Sequence, residues 1–144
     1  MPSPAAKYVK IMMYLKRRPD VSDEQFHHRW SKEHVEIALS NPVFKSKILR
    51  FNQFHVSETL KLQAASLGAP VLDYDGIAEF WVSDVQDWKD ITSDKDFVKH
   101  MAEDELIFVQ PPISVMVGYD NLVIGLDRKT GMETQINGDD IGAI

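Results

Sequence analysis

Apolar and polar side chains alternate from Tyr8 to Lys16, the period of a β-strand. Val9, Ile11, Met13 and Leu15 make one purely apolar side, expected to face helices. Lys10, Met12, Tyr14 and Lys16 make the other, where Met12 and Tyr14 suit the wall of a cavity with lysines at its rims. The pattern then changes period. Ser22 and Gln25 have the spacing of a capping box, and Asp23 and Glu24 add negative charge at the positive end of a helix dipole. Phe26, Trp30, His34 and Ala38 follow at i+4 steps and share one helix face. Pro42 stops that helix.

Lys47 to Ser57 reads as a second strand, with Ile48, Arg50, Asn52, Phe54 and Val56 on one face and Leu49, Phe51, Gln53 and His55 on the other. Glu58 to Pro70 is an excursion with a helical turn through Leu60, Leu62 and Leu67. Gly76 to Val82 is a third strand: Ala78, Phe80 and Val82 face one way, Ile77, Glu79 and Trp81 the other. Val85, Trp88 and Ile91 indicate a short helix. Ser93 or Asp94 caps another, which turns Phe97, Met101 and Phe108 inward and is expected to be broken by Pro111 and Pro112. Ile113 to Tyr119 is the fourth strand.

The order strand, helix, strand, strand, helix, strand is the split βαβ pattern of the ferredoxin-like α+β fold, with an antiparallel four-stranded sheet. Two helices cover one sheet face. The uncovered face is expected to carry Met12, Tyr14, Phe51, His55, Ile77 and Trp81, with Val115 and Val117. Each large apolar side chain left in water forfeits about 1.5–3 kcal/mol of burial. A sheet-to-sheet homodimer that encloses a cavity removes that penalty, so a dimeric α/β barrel is expected. Residues 1–7 read as a loose arm, 8–120 as the domain, and 121–144 as a tail with a possible hairpin around Lys129 to Gly131.

Composition narrows the function classes. The chain of 144 residues suits one domain with its own core. It has no cysteine, which removes disulfides, thiolate nucleophiles and cysteine metal sites and fits a cytoplasmic protein. A net charge of −6 argues against general nucleic-acid binding. No apolar run is long enough to cross a bilayer, and no secretory leader is expected, so neither nucleic acid nor membrane is an expected partner. There is no GxGxxG or GxxxxGK[ST] motif. His27 and His28 are adjacent and point to different helix sides; a zinc site is not expected, and no metal is.

Several segments together resemble one family. Pro19, Ser22, Phe26, Trp30 and His34 resemble the opening signature of EthD-domain proteins, within the dimeric α/β-barrel superfamily. Ile48-Leu49-Arg50-Phe51 with Gln53 and His55 is similar too, as are Asp75-Gly76-Ile77-Ala78-Glu79-Phe80-Trp81 and Asp104-Glu105 followed by Phe108. The resemblance spans roughly residues 8 to 119. It implies a dimeric barrel without metal or organic cofactor. It also implies a role like that of fungal members that act on aromatic polyketides as dehydratases or decarboxylases, related barrels being cyclases or oxygenases.

Dehydration and decarboxylation both require proton transfer in a dry pocket, a task suited to histidine. His55, beside Phe51 and Gln53, is the leading catalytic candidate; its alternative is an edge-strand histidine touching solvent. His34 is the second, on the buried stripe with Trp30; its alternative is a core histidine satisfied by a carbonyl or carboxylate. His100 and Asp104 have the spacing of an orienting pair or of an exposed helix contact. Glu79 is a candidate buried acid, or an ion-pair partner of Arg50. Tyr14, Met12, Arg50, Phe51, Gln53, Trp81 and His100 are candidate substrate contacts. Three functions remain open: a cofactor-independent lyase on an aromatic polyketide, a cofactor-free oxygenase on a reduced aromatic such as an anthrone, and a non-enzymatic ligand-binding dimer.

Overall fold

Four antiparallel strands form one open sheet in the order β2-β3-β1-β4, with helices packed on one face, in a computed structural model that describes residues 8–125. The arm at 1–7 and the hairpin expected around Lys129 to Gly131 lie outside the described residues. The strands are β1 (Val9–Arg17), β2 (Ile48–His55), β3 (Gly76–Val82) and β4 (Val109–Gly118). This is the ferredoxin-like α+β arrangement.

The first helical stretch begins where the capping residues require. Ser22 Oγ accepts from the Gln25 backbone N–H, and Gln25 Oε1 accepts from that of Ser22, both at 3.0 Å. Helix α1 (Asp23–Arg29) runs through a π-helical turn, Trp30–His34, into α2 (Val35–Leu39). Phe26, Trp30, His34 and Ala38 are all buried. Next come α3 (Pro42–Lys47), with Pro42 at its first turn, and α4 (Glu58–Ala64) with a 3-10 turn at Ala65–Leu67. Leu60, Leu62 and Leu67 there are exposed, so this excursion adds no core. Gly68 ends it with φ of 77°, a conformation that costs glycine little. Helices α5 (Val85–Ser93) and α6 (Lys95–Phe108) complete the layer, the Asp94 carboxylate accepting from the Phe97 N–H. Phe97, Met101 and Phe108 of α6 are buried against Ile11, Phe80 and Phe44 in one core.

Three expectations about faces and ends are corrected. Phe51 and His55 lie on the helix-covered face, not the uncovered one. Phe51 stacks on Phe80 at 4.8 Å between ring centres, inside the core. The β2–β3 ladder shifts register between Ile48 and Arg50, so Ile48 pairs with Val82 on the covered side while Arg50 pairs with Trp81 on the other. Val115 and Val117 are also on the helix side, because they stand opposite Met13 and Ile11, and directly opposed residues project the same way. Both are about half exposed, whereas Val109 and Ile113 earlier on this edge strand pack into or against the core. Finally, Pro111 and Pro112 do not break the last helix. It ends at Phe108, and both prolines lie within β4. They are tolerated at a sheet edge, and the β1–β4 register shifts between Tyr14 and Lys16 beside them.

The uncovered face is partly roofed by its own side chains. Trp81 is buried although no helix covers it: Lys10 Nζ lies 4.5 Å and Arg50 Cζ 4.8 Å from its ring centre, and its Nε1–H donates to Asp120 at 2.9 Å. Tyr8 and Lys10 also reach Asp120. Burial and that carboxylate push the Tyr8 phenol up to about 12. Phe54 and Met116 remain exposed on this face.

Candidate active site

Two histidine clusters sit between the helices and the sheet, separated by the Phe26 and Trp30 rings. In the first, the π-turn directs His34 toward α6, where its Nδ1 lies 2.8 Å from Asp104 Oδ2. Asp104 is buried, and its other oxygen accepts from Arg29 Nε at 3.1 Å and from Nη2. A carboxylate held by a guanidinium can only accept, so His34 carries its proton on Nδ1 and leaves Nε2 with a lone pair. That Nε2 lies 3.8 Å from Glu105 Oε2.

The two groups facing each other are shifted in opposite directions. Burial holds the His34 imidazole below its ordinary pKa; Asp104 opposes this through its hydrogen bond and charge, and Arg29 adds to the lowering. Burial, then the Asp104 charge, push the Glu105 carboxyl up to about 7. Near neutral pH the pair is therefore a neutral imidazole facing a carboxyl that retains its proton for about half the time.

The second cluster holds His55. Its Nδ1 lies 2.7 Å from His27 Nδ1, and its Nε2 lies 2.9 Å from Gln53 Oε1. Gln53 Nε2 in turn donates to the Trp30 carbonyl at 2.9 Å. His27 Nε2 lies 3.2 Å from the Val56 carbonyl and 3.3 Å from Asp23 Oδ1. The His55 ring rests on Trp30 at 4.4 Å. Burial and then the His27 charge hold His55 below its ordinary pKa. Both of its ring nitrogens are engaged inside the protein, whereas His34 presents one toward Glu105.

The other candidates divide by face. Met12, Tyr14, Arg50, Glu79 and Trp81 are on the uncovered side of the sheet, away from both clusters. Tyr14 Oη contacts Met116 Sδ at 3.1 Å, and Glu79 accepts from Asn52 at 2.9 Å with Lys10 at 3.9 Å. Phe51 and Gln53 are on the covered side. His100 is exposed, and Asp104 turns inward to His34 and Arg29 instead of pairing with it, which corrects the i,i+4 expectation. Sequence reasoning did not name Arg29, Glu105 or His27 as site residues. Glu105 adjoins the Asp104 it did name. The signal for His27 was Asp23, four residues before it and overlooked as its carboxylate partner. Arg29 has no local signal, since its partner is 75 residues away.

A groove of about 270 Å³ opens between Lys16, Arg17, Lys61, Asp73 and Asp75. Its lysines are held by Asp73 and Asp75, and no candidate site residue lines it. Among the described residues, no group of three His, Cys, Asp or Glu side chains is arranged to hold a metal ion. No helix there is long and apolar enough to cross a membrane.

Comparison with known proteins places these residues in context. The sequence pattern of the EthD domain matches residues 18–112. Dehydratase aurZ of Gibberella zeae is 27% identical over 109 residues, covering 72% of this chain and 70% of its own length. Among solved structures, a dimeric protein of unknown function with a ferredoxin-like fold from Bacteroides fragilis superposes with a TM-score of 0.56. It is 13% identical, over 80% of this chain and 98% of that one. An EthD family protein from Bacillus halodurans gives 0.54 at 14% identity, over 79% and 99%. At these identities the two structures speak for the fold alone.

Proposed function

This chain belongs to the EthD domain family, and from that premise we propose that it is a cofactor-independent dehydratase-like lyase acting on an aromatic polyketide intermediate. The observation that carries the reading is the opposed pair of His34 Nε2 and Glu105, 3.8 Å apart, one shifted toward a base and the other toward an acid. The relationship to a dehydratase supports the reaction class. The substrate class follows from the resemblance to fungal members of the family.

In this reading His34 Nε2 takes the proton from an acidic C–H beside a carbonyl. The C–H electrons form the new C=C bond, and the adjacent C–O bond breaks. Glu105 gives its proton to the departing hydroxyl, which leaves as water. The site is then an imidazolium facing a carboxylate, and transfer of the proton from His34 to Glu105 through the released water, which can bridge the 3.8 Å gap, restores both. Asp104 stabilises the imidazolium and fixes its tautomer, and Arg29 holds Asp104 in place through two hydrogen bonds. The reaction is redox-neutral and balances without an electron carrier.

A homodimer closed over the uncovered sheet face is part of this proposal. Exposed Phe54 and Met116 support it, as does the dimeric Bacteroides fragilis relative in fold.

Mass spectrometry of products from a panel of β-hydroxy aromatic polyketides tests the reaction. Loss of one water, absent with His34→Gln, is the expected result. Loss of carbon dioxide or gain of oxygen overturns the dehydratase assignment.

A further inference from the structure

We infer that His27 and His55 share one proton between their Nδ1 atoms, and that this single-cation pair is a positioning device for the π-turn that carries His34. The proton count stands on geometry alone; only its consequence for turnover rests on the reaction proposed above.

The count follows from which partners can donate. The Trp30 carbonyl accepts from Gln53 Nε2, which fixes the Gln53 amide with its oxygen toward His55. That oxygen can only accept, so His55 Nε2 must carry a hydrogen. At the other end the Val56 carbonyl can only accept, so His27 Nε2 must carry one too. The two Nδ1 atoms then face each other at 2.7 Å. Two neutral rings would oppose lone pair to lone pair. Two fully protonated rings would oppose hydrogen to hydrogen. Three links need three N–H hydrogens on two rings, and that is one positive charge.

The surroundings fit that charge. Asp23 Oδ1 is buried and accepts no hydrogen bond, yet lies 3.3 Å from His27 Nε2. A buried carboxylate oxygen in that state requires a neighbouring cation. Asp23 is the charged side chain that faces the pair from α1. From β2 the pair meets Gln53 and the Val56 carbonyl just beyond the strand, and otherwise the rings of Phe26 and Trp30. The chain of links runs from Val56 through His27, His55 and Gln53 to Trp30, the first residue of the π-turn that ends at His34. Adding or removing a proton breaks one link and loosens the turn from β2.

Long-range ¹H–¹⁵N spectra of the full-length labelled protein, recorded on both sides of about pH 6.5 where free imidazoles titrate, test this. The expected result is two rings with hydrogen-bearing Nε2 and intermediate Nδ1 signals in both spectra. A bare Nε2 on either ring, or Nδ1 signals of the two rings that move independently of each other, overturns the inference. His27→Phe assigns the signals: the intermediate His55 Nδ1 signal should be lost, and its persistence in the folded variant overturns the pairing. If that variant does not fold, the wild-type spectrum decides. A shared-proton signal in a protein that dehydrates nothing removes the reaction and leaves the pair.

Discussion

His34 Nε2 and Glu105 Oε2 face each other at 3.8 Å, too far for a hydrogen bond between them. The buried Asp104 fixes the imidazole from its opposite side, and after burial its charge is the second cause that pushes the Glu105 carboxyl up. One carboxylate thus sets the tautomer of the base and helps keep the acid protonated.

The rate should therefore have a bell-shaped dependence on pH. His34 works only when neutral, above its lowered pKa, and Glu105 only when protonated, below about 7. Glu105→Gln should remove the alkaline limb and lower kcat by roughly 10²–10⁴-fold, the usual range for a general acid. Steady-state rates across pH for both proteins check this. An unchanged alkaline limb would remove Glu105 from the reaction.

Stability should fall with pH over the same carboxyl. The folded pKa of Glu105 is raised from 4.5 to about 7, so its contribution is fully present below the unfolded value. It is lost as pH rises through the folded one, because there the unfolded chain binds fewer protons than the folded chain. The loss is of order 3 kcal/mol by pH 8. Urea unfolding of wild type and Glu105→Gln at several pH values should show the difference between them shifting in favour of the variant as pH rises. A pH-independent difference contradicts the burial argument.

Gly76→Ala should disturb the second cluster without touching it. A Cβ at Gly76 falls inside contact distance of the Trp30 ring, with the Phe54 carbonyl oxygen also 3.1 Å away. The indole cannot retreat, since Phe26 and His55 pack against it. Overpacking of this kind costs about 1–3 kcal/mol. Calorimetry should report a lower Tm, and the His55 ring signals should move. An unshifted Tm would mean the Trp30 pocket is looser than its contacts indicate.

How far the sequence carries depends on how local each cause is. The Ser22–Gln25 box, the buried stripe from Phe26 to Ala38 and the Asp94 cap are set by residues within a few positions, and all are found as expected. Strand alternation gave the two sides of β2 beyond Leu49. It did not say which side met the helices, because that depends on the register shift near Leu49 and on Phe51 stacking with Phe80. The site shows the same divide. His34 was legible as a histidine on a buried stripe, whereas Asp104 stood out through the family-like segment and His55 was expected on the uncovered face. The Arg29–Asp104 and His27–His55 pairings join separate elements and are fixed only by packing.

The outer sheet face gives the last prediction. Phe54 on β2 is 51% and Met116 on β4 is 59% exposed, on the side opposite both histidine clusters. If a second copy covers this face, a charge at either position must be buried without a partner, which costs several kcal/mol. Phe54→Glu and Met116→Glu should therefore shift the protein from dimer to monomer in sedimentation equilibrium. Leu62→Glu, on the exposed α4, should leave the assembly unchanged. The fold of each variant should persist in far-UV circular dichroism, because neither side chain enters the core. A wild-type protein that sediments as a monomer, or a dimer indifferent to both sheet-face substitutions, rules out the sheet-to-sheet arrangement.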